Sequence, residues 1–165
     1  MNVLKIAAEK SGWTGKLPKG LARGIAIVED KGSICAQVAE ISIENSQVKI
    51  HRVTCALDCG QVIHPGIVKS QTVGSVVYGL SAALYGEITI SKGKVAQSNF
   101  DDYPLLGIHE MPKVDVYLVD SQEEPGGAGE PAVPPAAPAV TNAIFALTGQ
   151  RIRSLPISLN GMRTM

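Results

Sequence analysis

Apolar and polar residues alternate along the first half of the chain in a way that predicts a β-hairpin. From 33 to 44, and again from 48 to 57, the two kinds of residue alternate with a period near two, which is typical of a half-buried strand. The polar residues 45–47 separate the two runs and are turn formers, so they predict the turn of the hairpin. A short apolar run at 24–29 predicts one further strand before it.

Helical spacing marks three other segments. Residues 3–10 form an amphipathic pattern. After Pro65, apolar residues recur at helical spacing as far as Leu84, and proline is favoured at the first position of a helix. The last predicted helix covers 132–147 and is followed by Gly149, a residue that commonly ends helices.

Shorter strands complete the predicted fold. A second hairpin is expected over 87–90 and 94–98, a strand over 114–119, and a final short strand over 151–159. The fold class is therefore α+β, with hairpins and short strands packed with two main helices. A length of 165 residues is near the usual domain size, so residues 1–165 are expected to form a single domain with its own core.

Composition excludes several functional classes. Fifteen basic and fifteen acidic residues give a formal net charge of zero, whereas a nucleic-acid binder carries a basic excess or a basic face. The chain has no run of eighteen apolar residues, so no membrane span is expected. Charged residues interrupt 1–13, so no signal peptide is expected and the location is cytoplasmic by default. An export signal on a longer subunit would make it periplasmic.

Three cysteines and three histidines limit the metal chemistry. Cys35, Cys55 and Cys59 are odd in number, and two lie on predicted strands, so a disulfide framework is not expected. Cys55 and Cys59 have no second pair to complete a four-thiolate site for zinc or an iron–sulfur cluster. The histidines are scattered without metal-binding spacing. We therefore expect no metal ligand from this chain, although a metal could bind through a cofactor.

A single carboxylate, Glu130, stands between a glycine-rich segment and four closely spaced prolines. Glycine lets a backbone approach a bulky ligand, and proline fixes φ in the next element. This arrangement suits an acidic group held rigidly at the mouth of a site. A flexible hinge followed by a proline-rich turn, with Glu130 as an incidental charge, fits the same residues. The local pattern alone favours the hinge.

Two glycines lie inside the predicted helix that begins near Pro65. Each would weaken an isolated helix by roughly 1 kcal/mol relative to alanine, so Gly74 and Gly79 indicate close packing with another backbone or with a ligand. A core helix and a ligand-facing helix both fit. Gln71 could offer its amide to such a ligand, and the free first-turn amides of the helix favour an anion.

Several motifs in order along nearly the whole chain carry a family resemblance. They are Asp58-Cys59-Gly60-Gln61-Val62-Ile63-His64-Pro65, Gln71-x-x-Gly74, residues 79–87, residues 97–104, Gly126-Gly127-Ala128-Gly129-Glu130-Pro131, residues 142–149 and residues 151–156. Together they resemble the molybdopterin-binding subunit of the molybdenum hydroxylases. The final motifs closely resemble the C-terminal end of the isoquinoline 1-oxidoreductase beta-subunit type, within the xanthine dehydrogenase and aldehyde oxidase family.

The resemblance implies a role for each of four residues. Glu130 corresponds to the active-site base beside the molybdenum, in a reaction that hydroxylates an N-heterocycle or aldehyde using water. A carboxylate in a water-poor pocket has its pKa raised toward neutrality, where a general base works best. Gln71 corresponds to a glutamine whose amide contacts the pterin. Gly127 and Gly129 would let the backbone lie against the cofactor, and Gln71 and Gly129 are expected on one side of the domain near Glu130, beside an open, half-formed groove.

The resemblance also implies a larger assembly. The family's molybdenum subunit is several times longer, so residues 1–165 match its C-terminal molybdopterin-binding domain. The implied cofactor is molybdopterin, as the molybdenum–molybdopterin cytosine dinucleotide, with the iron–sulfur clusters on a partner subunit. Partners would be the remainder of the subunit, the iron–sulfur subunit and a small-molecule substrate, or self-association of the chain through a large apolar surface. Alternatives are a binding or assembly module without turnover, and an inactive remnant.

Overall fold

The computed structural model of the chain describes residues 2–159, which form three helices and six strands. In chain order they are α1 (Asn2–Ser11), β1 (Leu21–Asp30), β2 (Ser33–Glu44), β3 (Gln47–Asp58), α2 (Pro65–Leu84), β4 (Ile90–Ser91), β5 (Lys94–Val95), β6 (Lys113–Leu118) and α3 (Ala136–Thr148). The predicted α+β class is confirmed. None of these helices is both long and apolar enough to cross a membrane.

A four-stranded sheet in the order β1-β2-β3-β6 forms the centre of the domain. The first three strands are antiparallel, and β6 runs parallel to β3. The predicted hairpin of β2 and β3 is confirmed, and Asn45 and Ser46 at its turn have φ of 51° and 61°. Positive φ at both turn residues is the geometry that suits the twist of a tight hairpin. The second predicted hairpin is reduced to the two-residue strands β4 and β5.

Helices cover both faces of this sheet. On one face, Val3 and Ala7 of α1 pack with Val38 and Ala56. On the other face, α2 and α3 enclose the main core, which includes Leu80 and Ile144. The strand β2 is consequently buried along most of its length. The expectation of a half-buried strand was wrong here, because α1 covers one face of the strand and the core under α2 and α3 covers the other.

Glycine allows α3 to lie directly against its neighbours. A Cβ on Gly24 of β1 would stand 2.1 Å from the carbonyl oxygen of Ala139, and a Cβ on Gly79 of α2 would stand 2.7 Å from that of Val133. Both contacts join backbone to backbone. The close packing predicted for Gly79 therefore comes from the segment that leads into α3. Gly74 differs, since a Cβ there would meet no described atom within 4 Å.

Two predicted boundaries near the C-terminal end were wrong. The helix expected from 132 begins instead at Ala136, because the residue before a proline disfavours helical backbone and Pro134 and Pro135 are adjacent. The expected strand at 151–159 is irregular, although all of its residues are described. Its Ile157 amide donates to the Ala83 carbonyl of α2 over 2.7 Å, so the segment is held at the end of that helix rather than in a sheet.

Candidate functional site

The glycine-rich segment before Glu130 is fixed by backbone hydrogen bonds to two other parts of the chain. The Gly126 amide donates to the Cys59 carbonyl over 2.9 Å, and the Gly127 amide donates to the Lys31 carbonyl over 2.9 Å. Cys59 belongs to the 58–65 motif, and Lys31 lies in the turn between β1 and β2. The segment is therefore anchored on the sheet side rather than acting as a free hinge.

The side chain of Gln71 reaches this segment from α2. Its Nε2 donates to the Gly129 carbonyl over 3.3 Å, and Ser75 Oγ, one turn later, donates to the same oxygen over 2.6 Å. Because Glu130 follows Gly129 directly, Gln71 and Glu130 lie on one side of the domain. These distances agree with the expectation that Gln71, Gly129 and Glu130 lie close together.

Glu130 itself is exposed and paired with a cation. Its Oε2 lies 2.9 Å from Lys31 Nζ, and 71% of its side-chain surface is accessible. The hydrogen bond and the charge of Lys31 lower the pKa of Glu130 from its ordinary value, since both favour the ionised form. Glu130 was expected to lie in a water-poor pocket with a raised pKa. The described residues instead leave its carboxylate open to solvent, and its pKa is lowered.

The two glycines assigned to cofactor approach have different surroundings. A Cβ on Gly127 would stand 3.1 Å from the Cβ of Lys31, whereas a Cβ on Gly129 would meet no described atom within 4 Å. The absence of a side chain at Gly127 is thus explained in part by the β1–β2 turn that packs on it. Gly129 is the one of the two that leaves free space beside Glu130.

One face of α2 continues this free space. Gln71, Gly74 and Tyr78 are exposed and stand three to seven residues apart, which places them on the same side of a helix. Tyr78 is 69% exposed. Together with Gly129 and Glu130, these residues form a face, here called the α2 face, that has an amide, an aromatic ring and a carboxylate around two glycines without packed neighbours.

The first turn of α2, which was expected to offer free amides to an anion, has a side-chain cap. His64 caps the helix, and its Nδ1 accepts a hydrogen bond from the Ile67 amide over 3.1 Å. One first-turn amide is therefore already bound. A cavity of about 600 Å³ lies nearby, lined by Pro65, Lys69 and residues of β6. It lies on the opposite side of α2 from Gln71, so the expected groove beside Glu130 stays a prediction.

The cysteines are buried thiols of the core. Cys35 Sγ and Cys55 Sγ lie 3.4 Å apart on neighbouring strands, and all three cysteines are unbridged. The hydrogen bond with Cys35 and burial raise the pKa of Cys55, and burial raises the pKa of Cys59. Since the thiolate is the form that binds metals, Cys55 and Cys59 are poor ligands. Within 2–159, no three His, Cys, Asp or Glu side chains are grouped to hold a metal ion.

Sequence reasoning missed several residues around Glu130. Those that contact it or its neighbours are Lys31, Ser33, Gln37 and Ser75. Ser75 could have been found, because it lies four residues after Gln71 and so on nearly the same side of the helix. The other three come from a turn and a strand about a hundred positions earlier in the chain, and no local spacing connects them to Glu130.

Comparison with known proteins assigns the chain to a family. The family model of the molybdopterin cofactor-binding domain matches residues 25–112, which is more than half of the chain. The chain belongs to the molybdopterin cofactor-binding domain family. The predicted relationship to molybdenum hydroxylase subunits is confirmed. The matched residues include Gln71 and Gly74 of the α2 face, whereas Gly129 and Glu130 lie outside them.

Curated relatives extend the match beyond the family model. The isoquinoline 1-oxidoreductase subunit beta of Brevundimonas diminuta is 36% identical over 160 residues, which is 94% of this molybdopterin-binding chain and 20% of the relative. The membrane-bound aldehyde dehydrogenase [pyrroloquinoline-quinone] of Gluconacetobacter polyoxogenes is 34% identical over 163 residues, 94% of this chain and 21% of the relative. The chain thus spans about a fifth of the length of each of these two relatives.

A solved structure shows the same fold. Quinoline 2-oxidoreductase from Pseudomonas putida 86 superimposes with a TM-score of 0.71 over 79% of this chain and 19% of that protein, at 21% identity. The fold of this molybdopterin-binding domain is therefore the one found within a far longer oxidoreductase chain.

Proposed function

We propose that this chain is the C-terminal part of the molybdenum subunit of an oxidoreductase, and that residues 1–165 form one domain of that subunit. In this proposal Glu130 acts as the general base. The observation that carries the proposal is the bond from the Gln71 amide to the Gly129 carbonyl. It joins the Gln71-x-x-Gly74 motif, which lies within the family match, to the carboxylate that would act on substrate. Two motifs separated by about sixty residues thereby contribute to a single surface.

The α2 face fits a pterin cofactor. A Cβ at Gly74 or Gly129 would have no packed neighbour within 4 Å, so a ligand can approach the backbone there. The Gln71 amide can both donate and accept hydrogen bonds. Gln71, Gly127 and Gly129 are the residues we propose to hold the cofactor, as molybdopterin cytosine dinucleotide. When bound, the molybdenum supplies Lewis-acid activation and the redox centre for hydroxylation with water.

The role of Glu130 is to accept a proton at one carboxylate oxygen. In this chain Lys31 keeps the carboxylate ionised, which is the protonation state a base requires before reaction. Covering the α2 face with the remainder of the subunit would remove water from around Glu130 and raise its pKa. A base with a pKa nearer neutrality transfers protons more efficiently, so assembly would convert an exposed ion pair into a working base.

The substrate class and partners follow from the relatives' names. Isoquinoline and quinoline are N-heterocycles, and the Gluconacetobacter relative acts on aldehydes by its name. We propose that the complete enzyme hydroxylates an N-heterocycle or an aldehyde. An iron–sulfur subunit would carry the electrons away, and the isolated chain would be inactive because it presents one side of the site.

The test is Glu130→Gln in the complete subunit purified from its native host. Turnover is expected to fall by at least ~10²-fold, the low end of general-base contributions, while molybdenum and cytidine nucleotide contents stay unchanged. Glu124→Gln is the matched control, because Glu124 is an exposed glutamate of the same loop. Its turnover should stay at the wild-type value.

Other outcomes would count against specific parts of the proposal. Near-normal turnover of the Glu130 variant with full molybdenum content would exclude the base. Protein that lacks molybdenum and cytidine nucleotide altogether would favour a binding module or an inactive remnant. Since one relative is named for pyrroloquinoline quinone, the quinone content of the same sample should be measured, and finding it in place of molybdenum would exclude the pterin assignment.

A further inference from the structure

Three backbone carbonyls of residues 127–132, here called the Glu130 turn, accept hydrogen bonds from side chains of other elements. The three pairs, each 2.6 Å apart, are Ser33 Oγ with Gly127 O, Ser75 Oγ with Gly129 O, and Gln37 Nε2 with Ala132 O. The donors come from the beginning of β2, the middle of β2 and α2. The turn is therefore held by side chains from both sides of the strand–helix interface.

The donors are buried although the group they surround is exposed. Ser33 and Gln37 are fully buried and Ser75 is 5% exposed, whereas 71% of the Glu130 side chain is accessible. A buried donor is fixed by packing and does not exchange its partner with water. The backbone on either side of Glu130 is thus restrained while the carboxylate stays accessible to a ligand.

Ser75 and Gln71 have different roles at the Gly129 carbonyl. The Ser75 bond is 2.6 Å long and the Gln71 bond is 3.3 Å, at the long limit for an amide donor. Gln71 is also exposed, whereas Ser75 is buried. The Ser75 hydroxyl also lies 3.0 Å from the Gln71 carbonyl, but its contact with the Gly129 carbonyl is the shorter of the two. Ser75 therefore holds that carbonyl when the Gln71 amide turns to a ligand.

Gln37 has an unusual environment for a polar residue. Its Oε1 is the single buried side-chain oxygen or nitrogen within 2–159 that has no hydrogen-bond partner. Leaving such an atom unpaired is destabilising, and an apolar side chain of similar size would avoid that loss. What the amide adds in that position is the Nε2 bond to Ala132 O, two residues after Glu130.

We propose that Ser75 and Gln37 are positioning residues that act through Glu130. They hold the carbonyls of Gly129 and Ala132, one residue before and two residues after the carboxylate, and so set the direction in which it points. This inference rests on the proposed role of Glu130 as base. A misplacement of a catalytic group by about 1 Å can lower a rate by up to ~10²-fold, so loss of either bond should be visible in turnover.

The first test uses the chain itself and does not depend on activity. The Val133 amide donates to the Glu130 carbonyl over 2.8 Å, so its hydrogen exchange reports on the Glu130 turn. Ser75→Ala and Gln37→Met should each speed this exchange by about tenfold, the effect of one lost hydrogen bond. Thr72→Val is the control, since the Thr72 hydroxyl donates to a carbonyl within α2, and it should leave the Val133 exchange unchanged.

The second test uses the complete enzyme and a double-mutant cycle. Ser75→Ala and Gln37→Met should each lower kcat about tenfold with KM and molybdenum content unchanged. In the Glu130→Gln background they should have no further effect on kcat, because residues that act as a unit are not additive. Ser75→Thr retains the hydroxyl and should restore the rate. Two separate variants keep the test decisive if one of them folds poorly.

Two results would overturn the inference. One is Val133 exchange that is unchanged in both variants. The other is an equal loss of kcat in the presence and absence of the Glu130 carboxylate, which would indicate a general structural role. Failure of the base assignment would give a different pattern from these two results. The Glu130→Gln enzyme would then keep its turnover, while the hydrogen exchange of the Val133 amide would still respond to Ser75→Ala.

Discussion

Lys31 and Glu130 are 99 positions apart in the chain, and their side chains form an ion pair with Nζ 2.9 Å from Oε2. Lys31 lowers the pKa of Glu130, and Glu130 raises that of Lys31. Lys31→Gln should therefore raise the pKa of Glu130 toward its ordinary value, which a carboxyl carbon NMR titration of the chain measures directly. Because the pKa of the folded-state carboxyl is depressed, the pair stabilises the fold above the ordinary carboxyl pKa, and this contribution is lost as the pH falls.

Lys92→Gln is the matched control for this titration. Lys92 also lies in a hairpin turn with positive φ, 50° against 51° for Lys31, but at the β4–β5 turn. It should leave the Glu130 titration unchanged. An unaltered Glu130 titration in Lys31→Gln would contradict the ion pair.

The two glycines of α2 provide a second prediction. Gly74→Ala should raise the free energy of unfolding by about 1 kcal/mol, because alanine is the better helix former and its Cβ meets no described atom. Gly79→Ala should lower that free energy by about 1–3 kcal/mol, because its Cβ would press on the Val133 carbonyl. Urea denaturation of the two variants measures both changes.

The same pair separates packing from ligand binding. If the cofactor lies against the α2 face, Gly74→Ala stabilises the chain yet lowers the molybdenum content of the complete enzyme. Full molybdenum content in that variant would show that no ligand approaches Gly74. Equal destabilisation by the two alanines would contradict the open surroundings of Gly74.

A third prediction concerns the hydrogen bond from the Tyr85 hydroxyl to Glu110 Oε1 at the end of α2. Burial and the carboxylate raise the pKa of Tyr85 to about 12. Tyrosinate absorbance should therefore show a step near pH 12 that Tyr85→Phe removes and Glu110→Gln moves to lower pH. Since the pKa is raised in the folded state, the bond stabilises the fold below the ordinary tyrosine pKa of 10.0 and is lost as pH rises toward 12.

Tyr103→Phe is the control for this titration. Tyr103 is half-buried in the irregular segment before β6, and the hydrogen bonds of the Glu110 carboxylate come from Tyr85 and Gly107 instead. The step near pH 12 should persist in that variant. Persistence of the step in Tyr85→Phe would show that another tyrosine causes it.

A fourth prediction concerns apolar residues on the segment from 88 to 111. Exposed large side chains there include Ile90, Phe100 and Ile108, at 73%, 77% and 92%. Isolated protein surfaces rarely expose contiguous apolar patches beyond a few hundred Å², so this segment should bind a hydrophobic dye or self-associate. The double variant Phe100→Ser and Ile108→Ser should reduce both, as followed by dye fluorescence and light scattering.

Ile63→Ser is a suitable comparison, because Ile63 is 84% exposed just before α2 and outside the segment. It should change dye binding less than the double variant does. Strictly monomeric protein with no dye binding would contradict the prediction of an apolar interaction surface.

Local patterns were sufficient to predict much of the fold. Turn residues at 45–47 and alternation on both sides were enough for the β2–β3 hairpin, because register in a hairpin depends on near neighbours. Pro65 and Gly149 marked helix ends through their own backbone preferences, and the structure has α2 beginning at Pro65 and α3 followed by Gly149. The family was likewise visible from motif order, since each motif is a short run of sequence.

Tertiary structure alone decided what surrounds each motif. Alternation cannot show whether a second layer covers a strand, so the burial of both faces of β2 by α1 and α3 was not visible in its pattern. Gly74 and Gly79 look alike in sequence, yet only Gly79 has a packed neighbour, because residues 133–136, which lead into α3, lie against α2 at that level. The surroundings of Glu130 depend on Lys31, Gln37 and Ser75, which the β1–β2 turn, the sheet and α2 bring together over long sequence separations. Sequence spacing carries no information about such contacts, because they arise from packing between elements rather than from the preferences of any one of them.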